Sequence, residues 1–161
     1  MDNLFFKEQH VMIKNMVHDF AKKEIAPVAQ ELDKTSEFPK EIVKKMGELG
    51  LMGILVPEKY GGAGLDMVSF VAAIIELGRV DASVAITMAA HTSLGTLPIL
   101  LFGSDKQKNK YLPRLASGEI LGAFGLTEPG AGSDAGATKT RAVSDGNDYI
   151  INGGKIFITN A

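Results

Sequence analysis

The 161 residues contain no cysteine, which excludes disulfides and thiolate metal sites. Charge of one sign is also lacking. Seventeen Lys and Arg against nineteen Asp and Glu leave a formal net charge of −2. No overall basic field is available to recruit nucleic acid or anionic lipid. The longest apolar stretches, such as residues 99–102, are too short to span a bilayer, so no membrane insertion is expected. The opening segment MDNLFFKEQH has neither the basic start and long apolar core of a secretion signal nor an Arg-rich, acid-poor transit pattern. No repeat or low-complexity segment is visible. What remains is an ordinary globular composition, 45% hydrophobic and 22% charged, in a chain long enough to hold a core.

The first two thirds read as helix. Ile13, Met16, Val17 and Phe20 fall at i, i+3, i+4, i+7, and Pro27 is expected to end or kink that helix. Pro39 opens a second helix, with Ile42, Val43, Met46 and Leu49 inward and Gly50 as the stop. Pro57, Gly61, Gly62 and Gly64 mark a loop. Asp66 caps a third helix with Val71, Ile74 and Ile75 buried, and Asp81 caps a fourth through Val84, Met88 and His91. A short helical piece over 98–102 closes at Gly103. Ser104 caps a Lys-rich helix whose apolar face is Tyr111, Leu112 and Leu115.

The pattern changes near Leu121. LGAFGLT is strand-like, residues 138–144 alternate, and residues 149–151 favour β structure, with Asp145-Gly146 as a hairpin turn. KIFIT at 155–159 reads as a further strand. The expectation is a mainly α chain: an all-helical part over 1–120, then over 121–161 the beginning of an incomplete β domain.

Two glycine clusters invite a nucleotide reading. GGAG at 61–64 lacks the Lys-Ser/Thr of a phosphate-binding loop and reads as a tight turn. Gly130, Gly132 and Ala135 satisfy the loose dinucleotide spacing, but a hairpin rather than a long helix follows, which excludes a Rossmann unit. Closely spaced glycines with the Ser133 hydroxyl still suit an anionic ligand.

The same stretch, GLTEPGAGSDAGA at 125–137, resembles the signature of the acyl-CoA dehydrogenases, whose restricted positions are met by Thr127, Glu128, Ala131, Gly132, Ser133 and Asp134. PEKYGGAG from Pro57, SLGTLPILLFGSDKQKNKYLPRLASGE and YIINGGKIFITNA agree with the family in order and spacing, and the short-chain, butyryl-like members look closest. The resemblance implies a fold of an N-terminal helical domain, a central β-barrel-like domain and a C-terminal four-helix bundle, of which this sequence holds the first and the start of the second. It implies FAD as cofactor. Phe124, Gly125, Leu126 and Thr127 would line the flavin ring, and Gly132 and Ser133 would face the FAD phosphates, with Ser133 also touching acyl-CoA. Phe157, Ile158 and Thr159 would pack along the flavin's other side. Many members carry Trp where Phe157 stands; Phe keeps the stacking face without the indole donor.

The reaction implied is α,β-dehydrogenation of an acyl-CoA thioester, with electrons leaving to an electron-transfer flavoprotein. A homotetramer, in the bacterial cytoplasm or, as a mature form, the mitochondrial matrix, is implied as well. The family's base is a glutamate on the C-terminal bundle. No residue here matches it, and neither Glu76 nor Glu128 is assigned that role. His10, His18 and His91 lack metal-like spacing and read as structural or surface residues, and the Lys106–Lys110 run reads as a solvated helix face. A second reading is a non-catalytic helical interaction module that keeps the family's front end.

Overall fold

A computed structural model describes residues 6–161; residues 1–5 of the opening segment lie outside the described residues. Helix α1 (Glu8–Phe20) passes through a π turn (Ala21–Ile25) into α2 (Ala26–Thr35). Pro27 neither ends the helix nor stands at a break. A proline ring strikes the carbonyl four residues back, here that of Lys23. That carbonyl lies inside the π turn, where wider i→i+5 bonding replaces the α ladder. The same device recurs at Pro98. Helix α5 (Ala82–Ala90), a π turn (His91–Thr96) and α6 (Leu97–Phe102) form one unbroken helix, not two pieces.

That combined helix spans 21 residues and has a mean hydropathy of 1.5 in its most apolar window, enough to cross a membrane by length and composition. The expectation that no stretch is long enough is corrected to that extent, because the sequence does not show the two pieces fusing. Its inner face is nevertheless core: Val84, Ala85, Met88, His91 and Thr92 are all buried within the protein.

Helices α3 (Lys40–Glu48), α4 (Met67–Gly78) and α7 (Asp105–Ala116) complete the helical part. Ile42, Val43 and Met46 are buried as their spacing predicts, while Leu49 at the helix end is exposed. The buried side of α4 differs from the expected one. Val71 and Ile75 are 46% and 48% exposed, and Phe70, Ala73, Glu76 and Leu77 face inward. This helix is apolar nearly all round, so periodicity alone does not choose its face. On the buried side, two histidine–carboxylate contacts join this helix and its cap to α1. His10 Nε2 meets Asp66 at 2.8 Å, and His18 Nδ1 meets Glu76 at 3.0 Å. Asp66 also caps α4 by accepting from the Ser69 N–H at 2.9 Å. The His10 contact, reinforced by Ser69, holds the Asp66 carboxyl well below the usual carboxylate range.

The loop after α3 is no surface excursion. Leu51, Met52, Ile54 and Val56 are buried, so the segment closes the core between the helices. Ser104 caps α7 and Gln107 returns a side-chain bond to the Ser104 N–H at 2.8 Å, a capping box.

Beyond α7 the chain has less regular structure than its pattern predicts. One antiparallel hairpin forms, β1 (Arg141–Asp145) with β2 (Asp148–Asn152), in the register Val143↔Ile150 and Asp145↔Asp148. Its two-residue loop places Gly146 at φ +64°, as the turn signal predicts. LGAFGLT and KIFIT are not strands. Both are β-favouring, but a strand exists only where a partner supplies the ladder, and each makes isolated backbone contacts instead. All ten hairpin residues are exposed.

Candidate functional site

Gly122 is where the helical part hands the chain to the signature segment. Its backbone crosses the π turn after α5 at Gly95 so closely that a Cβ on Gly122 would lie 2.8 Å from the Gly95 Cα. Both polar groups of this peptide region are held by side chains. The Gly122 N–H donates to His91 Nδ1 at 3.0 Å, and the Gly122 carbonyl accepts from Asn160 Nδ2 at 3.2 Å. Since His91 Nδ1 accepts, Nε2 carries the proton and donates to the Met52 carbonyl at 3.2 Å. Burial pushes the His91 pKa below its ordinary value, against the smaller upward pull of its carbonyl partners, so the ring is neutral.

From this crossing, Phe124, Gly125 and Leu126 run along the surface, with the Phe124 ring 48% exposed and Thr127 half-buried. The next residue turns inward. Glu128 is 7% exposed and accepts three bonds: from the Lys139 N–H at 2.6 Å, the Thr140 N–H at 2.9 Å and Lys155 Nζ at 2.9 Å. These donors, the Lys139 N–H foremost, keep its carboxyl well below the usual carboxylate range. Ala131 pairs with the Glu128 backbone in both directions, at 3.0 and 3.1 Å, which curls residues 128–131 into a tight loop. Outside that curl, Gly130 and Gly132 have open space where a Cβ would stand, and Ser133 is exposed.

The chain returns to this surface after the hairpin. The Ile156 N–H donates to the Thr127 carbonyl at 3.0 Å, and Lys155 Nζ reaches the Leu126 carbonyl at 2.9 Å. Two strips, residues 124–127 and 155–160, are thereby joined side by side. Phe157 projects from the second strip at 90% exposure, with φ +56°. Ile158 is half-buried and Thr159 exposed. Asn160, also left-handed at φ +68°, anchors the strip by donating to the Thr87 carbonyl at 2.9 Å as well as to Gly122.

The surface so formed has an aromatic face at each strip, exposed backbone between them and an uncovered Gly-Ser loop beside them. Its shape and chemistry fit a flat heteroaromatic ring with an anionic tail. Gly132 and Ser133 lie on the loop, and Phe124, Gly125, Leu126, Thr127, Phe157, Ile158 and Thr159 lie on the two joined strips. The sequence reading missed Lys155, Asn160 and the double role of His91. Only Asn160 leaves a local signal, since asparagine tolerates the left-handed conformation. His10 and His18 are spent on the α1–α4 contacts, and no cluster of three metal-binding side chains occurs among the described residues.

Comparison with known proteins places the chain in a family. The family model for the acyl-CoA dehydrogenase N-terminal domain matches residues 7–119, and that for the acyl-CoA dehydrogenase middle domain matches residues 123–161. The chain belongs to the acyl-CoA dehydrogenase family. An acyl-CoA dehydrogenase of Bacillus subtilis is 57% identical over 153 residues, covering 95% of this chain and 40% of the relative. A short-chain specific acyl-CoA dehydrogenase of Clostridium acetobutylicum is 49% identical over 160 residues, covering 99% of this chain and 42% of the relative. The crystal structure of an acyl-CoA dehydrogenase complexed with FAD from Bacillus anthracis superposes with a TM-score of 0.91 at 46% identity, covering 97% of this chain and 27% of that one. The chain thus spans about 40% of the length of the curated relatives named here.

Proposed function

We propose that these residues form one side of the FAD and acyl-CoA site of a short-chain acyl-CoA dehydrogenase. The observation that carries the reading is the joining of strips 124–127 and 155–160 by the Ile156–Thr127 bond, with Phe124 and Phe157 left uncovered on them. Phe124, Gly125, Leu126 and Thr127 line one edge of the flavin ring. Phe157, Ile158 and Thr159 pack along its other side. Gly132 and Ser133 face the FAD phosphates, and Ser133 also contacts the acyl-CoA. FAD supplies the hydride acceptor. The chain's own part is to hold the ring at a fixed spacing, to offer backbone and hydroxyl bonds to its polar edge, and to exclude water with two aromatic faces.

The base that takes the α-proton lies outside these 161 residues. Of the two glutamates near the core, Glu76 is engaged by His18 and Arg79, and Glu128 by its three donors. The helical part and the β part divide near residue 120. The whole enzyme is a cytoplasmic homotetramer of fatty acid β-oxidation that passes electrons to an electron-transfer flavoprotein.

The test is titration of FAD with the protein as its gene encodes it, followed by flavin fluorescence. Saturable quenching that weakens on Phe157→Ala is expected. Saturable quenching indifferent to that change would remove Phe157 from the site, and absence of quenching would overturn the flavin reading.

A further inference from the structure

Glu128 stands inside the family signature yet faces away from the surface assigned to the cofactor. Its carboxylate joins three separate stretches of chain. Its own backbone belongs to the signature loop, Lys139 and Thr140 belong to the approach to β1, and Lys155 belongs to the returning strip. Lys155 divides its ammonium between Glu128 Oε1 and the Leu126 carbonyl, both at 2.9 Å. The ammonium therefore bridges the two strips one residue on either side of the Ile156–Thr127 bond. Among the described residues these contacts and that one backbone bond are the hydrogen bonds that join the strips.

A single N–H···O bond fixes a distance but leaves two strips free to pivot about it. Neutral bonds contribute little individually, and those with a charged partner contribute more and hold tighter geometry. The Glu128–Lys155 pair supplies the second and third points that stop the pivot. The Lys139 and Thr140 N–H groups in turn stop the carboxylate from following Lys155 outward. Asn160 fixes the far end of the returning strip to α5 and Gly122, but nothing about it sets the angle at Phe157.

We propose that Glu128 is a positioning residue, whose carboxylate ties the signature loop, the hairpin approach and the returning strip together and so sets the spacing between Phe124 and Phe157. The inference rests on the flavin reading for what that spacing serves, while the tie itself stands on the contacts alone.

The test compares wild type with Glu128→Gln, Lys155→Met and Lys155→Arg, in the protein as its gene encodes it. Amide hydrogen exchange is read by NMR and FAD affinity by fluorescence titration. Glu128→Gln is expected to lose protection at Lys139, Thr140 and, two bonds removed, Ile156, while α1 to α7 keep theirs. Lys155→Met is expected to expose Ile156 alone, with Lys139 and Thr140 still protected, and Lys155→Arg to restore Ile156. FAD affinity falls with Ile156 protection, by about tenfold in the two damaging variants. Ile156 staying protected in Glu128→Gln, or FAD affinity unchanged while Ile156 is exposed, overturns the proposal. Should Glu128→Gln fail to fold, the Lys155 pair decides by the same criteria. Failure of wild type to bind FAD overturns the flavin reading and leaves the exchange measurements to judge the tie.

Discussion

His91 shows how a buried titratable side chain is given work without chemistry. It is fully buried, one nitrogen accepts from Gly122 and the other donates to Met52. Replacing it with alanine leaves a buried N–H and a buried carbonyl unpaired, at a cost of about 1–3 kcal/mol each. Its folded pKa lies below the unfolded value of about 6.5. The unfolded state therefore binds the proton first as pH falls. The stability His91 contributes is complete above that unfolded value and declines below it. Urea midpoints of wild type and His91→Ala are expected to differ most near neutral pH and to converge toward mildly acid pH. A difference that widens on acidification would mean that the ring is charged in the folded protein. The sequence pattern continues the fourth helix through His91, as the structure does. Met52 and Gly122 are not legible as its partners, since both are 31 or more residues away and both contacts run through backbone.

Among the elements, legibility follows the range of the interactions that define each one. Caps are local, and Asp66, Asp81 and Ser104 each accept from the N–H three residues on, as expected. The hairpin is nearly as local, and its turn is where Asp145-Gly146 predicts it. The two π turns are not legible as such. Proline marks a break, yet a widened turn upstream of it lets the helix run on through Pro27 and Pro98. The β-favouring segments at 121–127 and 155–159 fail as strands for the opposite reason, because propensity is local and pairing is not. They are fixed instead by close backbone approach, above all at Gly95 and Gly122. Gly122→Val is expected to destabilise by about 1–3 kcal/mol, because it drives a side chain into the Gly95 backbone and the His91 carbonyl. Urea unfolding measures it. A variant as stable as wild type would show that the crossing is loose. The same substitution at Gly130, which has open space around it, serves as the control.

Taken whole, the molecule commits both of its near-core glutamates to structure, Glu76 to His18 and Arg79 and Glu128 to Lys139, Thr140 and Lys155, so neither is available as a base. The 161-residue polypeptide alone is therefore expected to give no turnover of butyryl-CoA with an artificial electron acceptor. Turnover by a sample whose mass confirms the short chain would sink that expectation. Family membership was legible from the signature and three further segments. The proposed site residues were legible only through that resemblance, because nothing in composition or spacing says that residues 124–127 and 155–160 meet.

The hairpin carries one more consequence. Val143 pairs with Ile150 on one face, between the polar pairs Arg141–Asn152 and Asp145–Asp148, and Ile151 and Tyr149 lie on the other, so apolar side chains stand bare on both faces. Its outer edges also present unpaired backbone groups to solvent. A ribbon of this kind recruits any extended chain it meets, including another copy of itself. For the 161-residue polypeptide in a test tube, association through this ribbon is expected to set in before unfolding, which light scattering against temperature measures. Charged residues at Val143 and Ile151 would raise its solubility without touching the helical core.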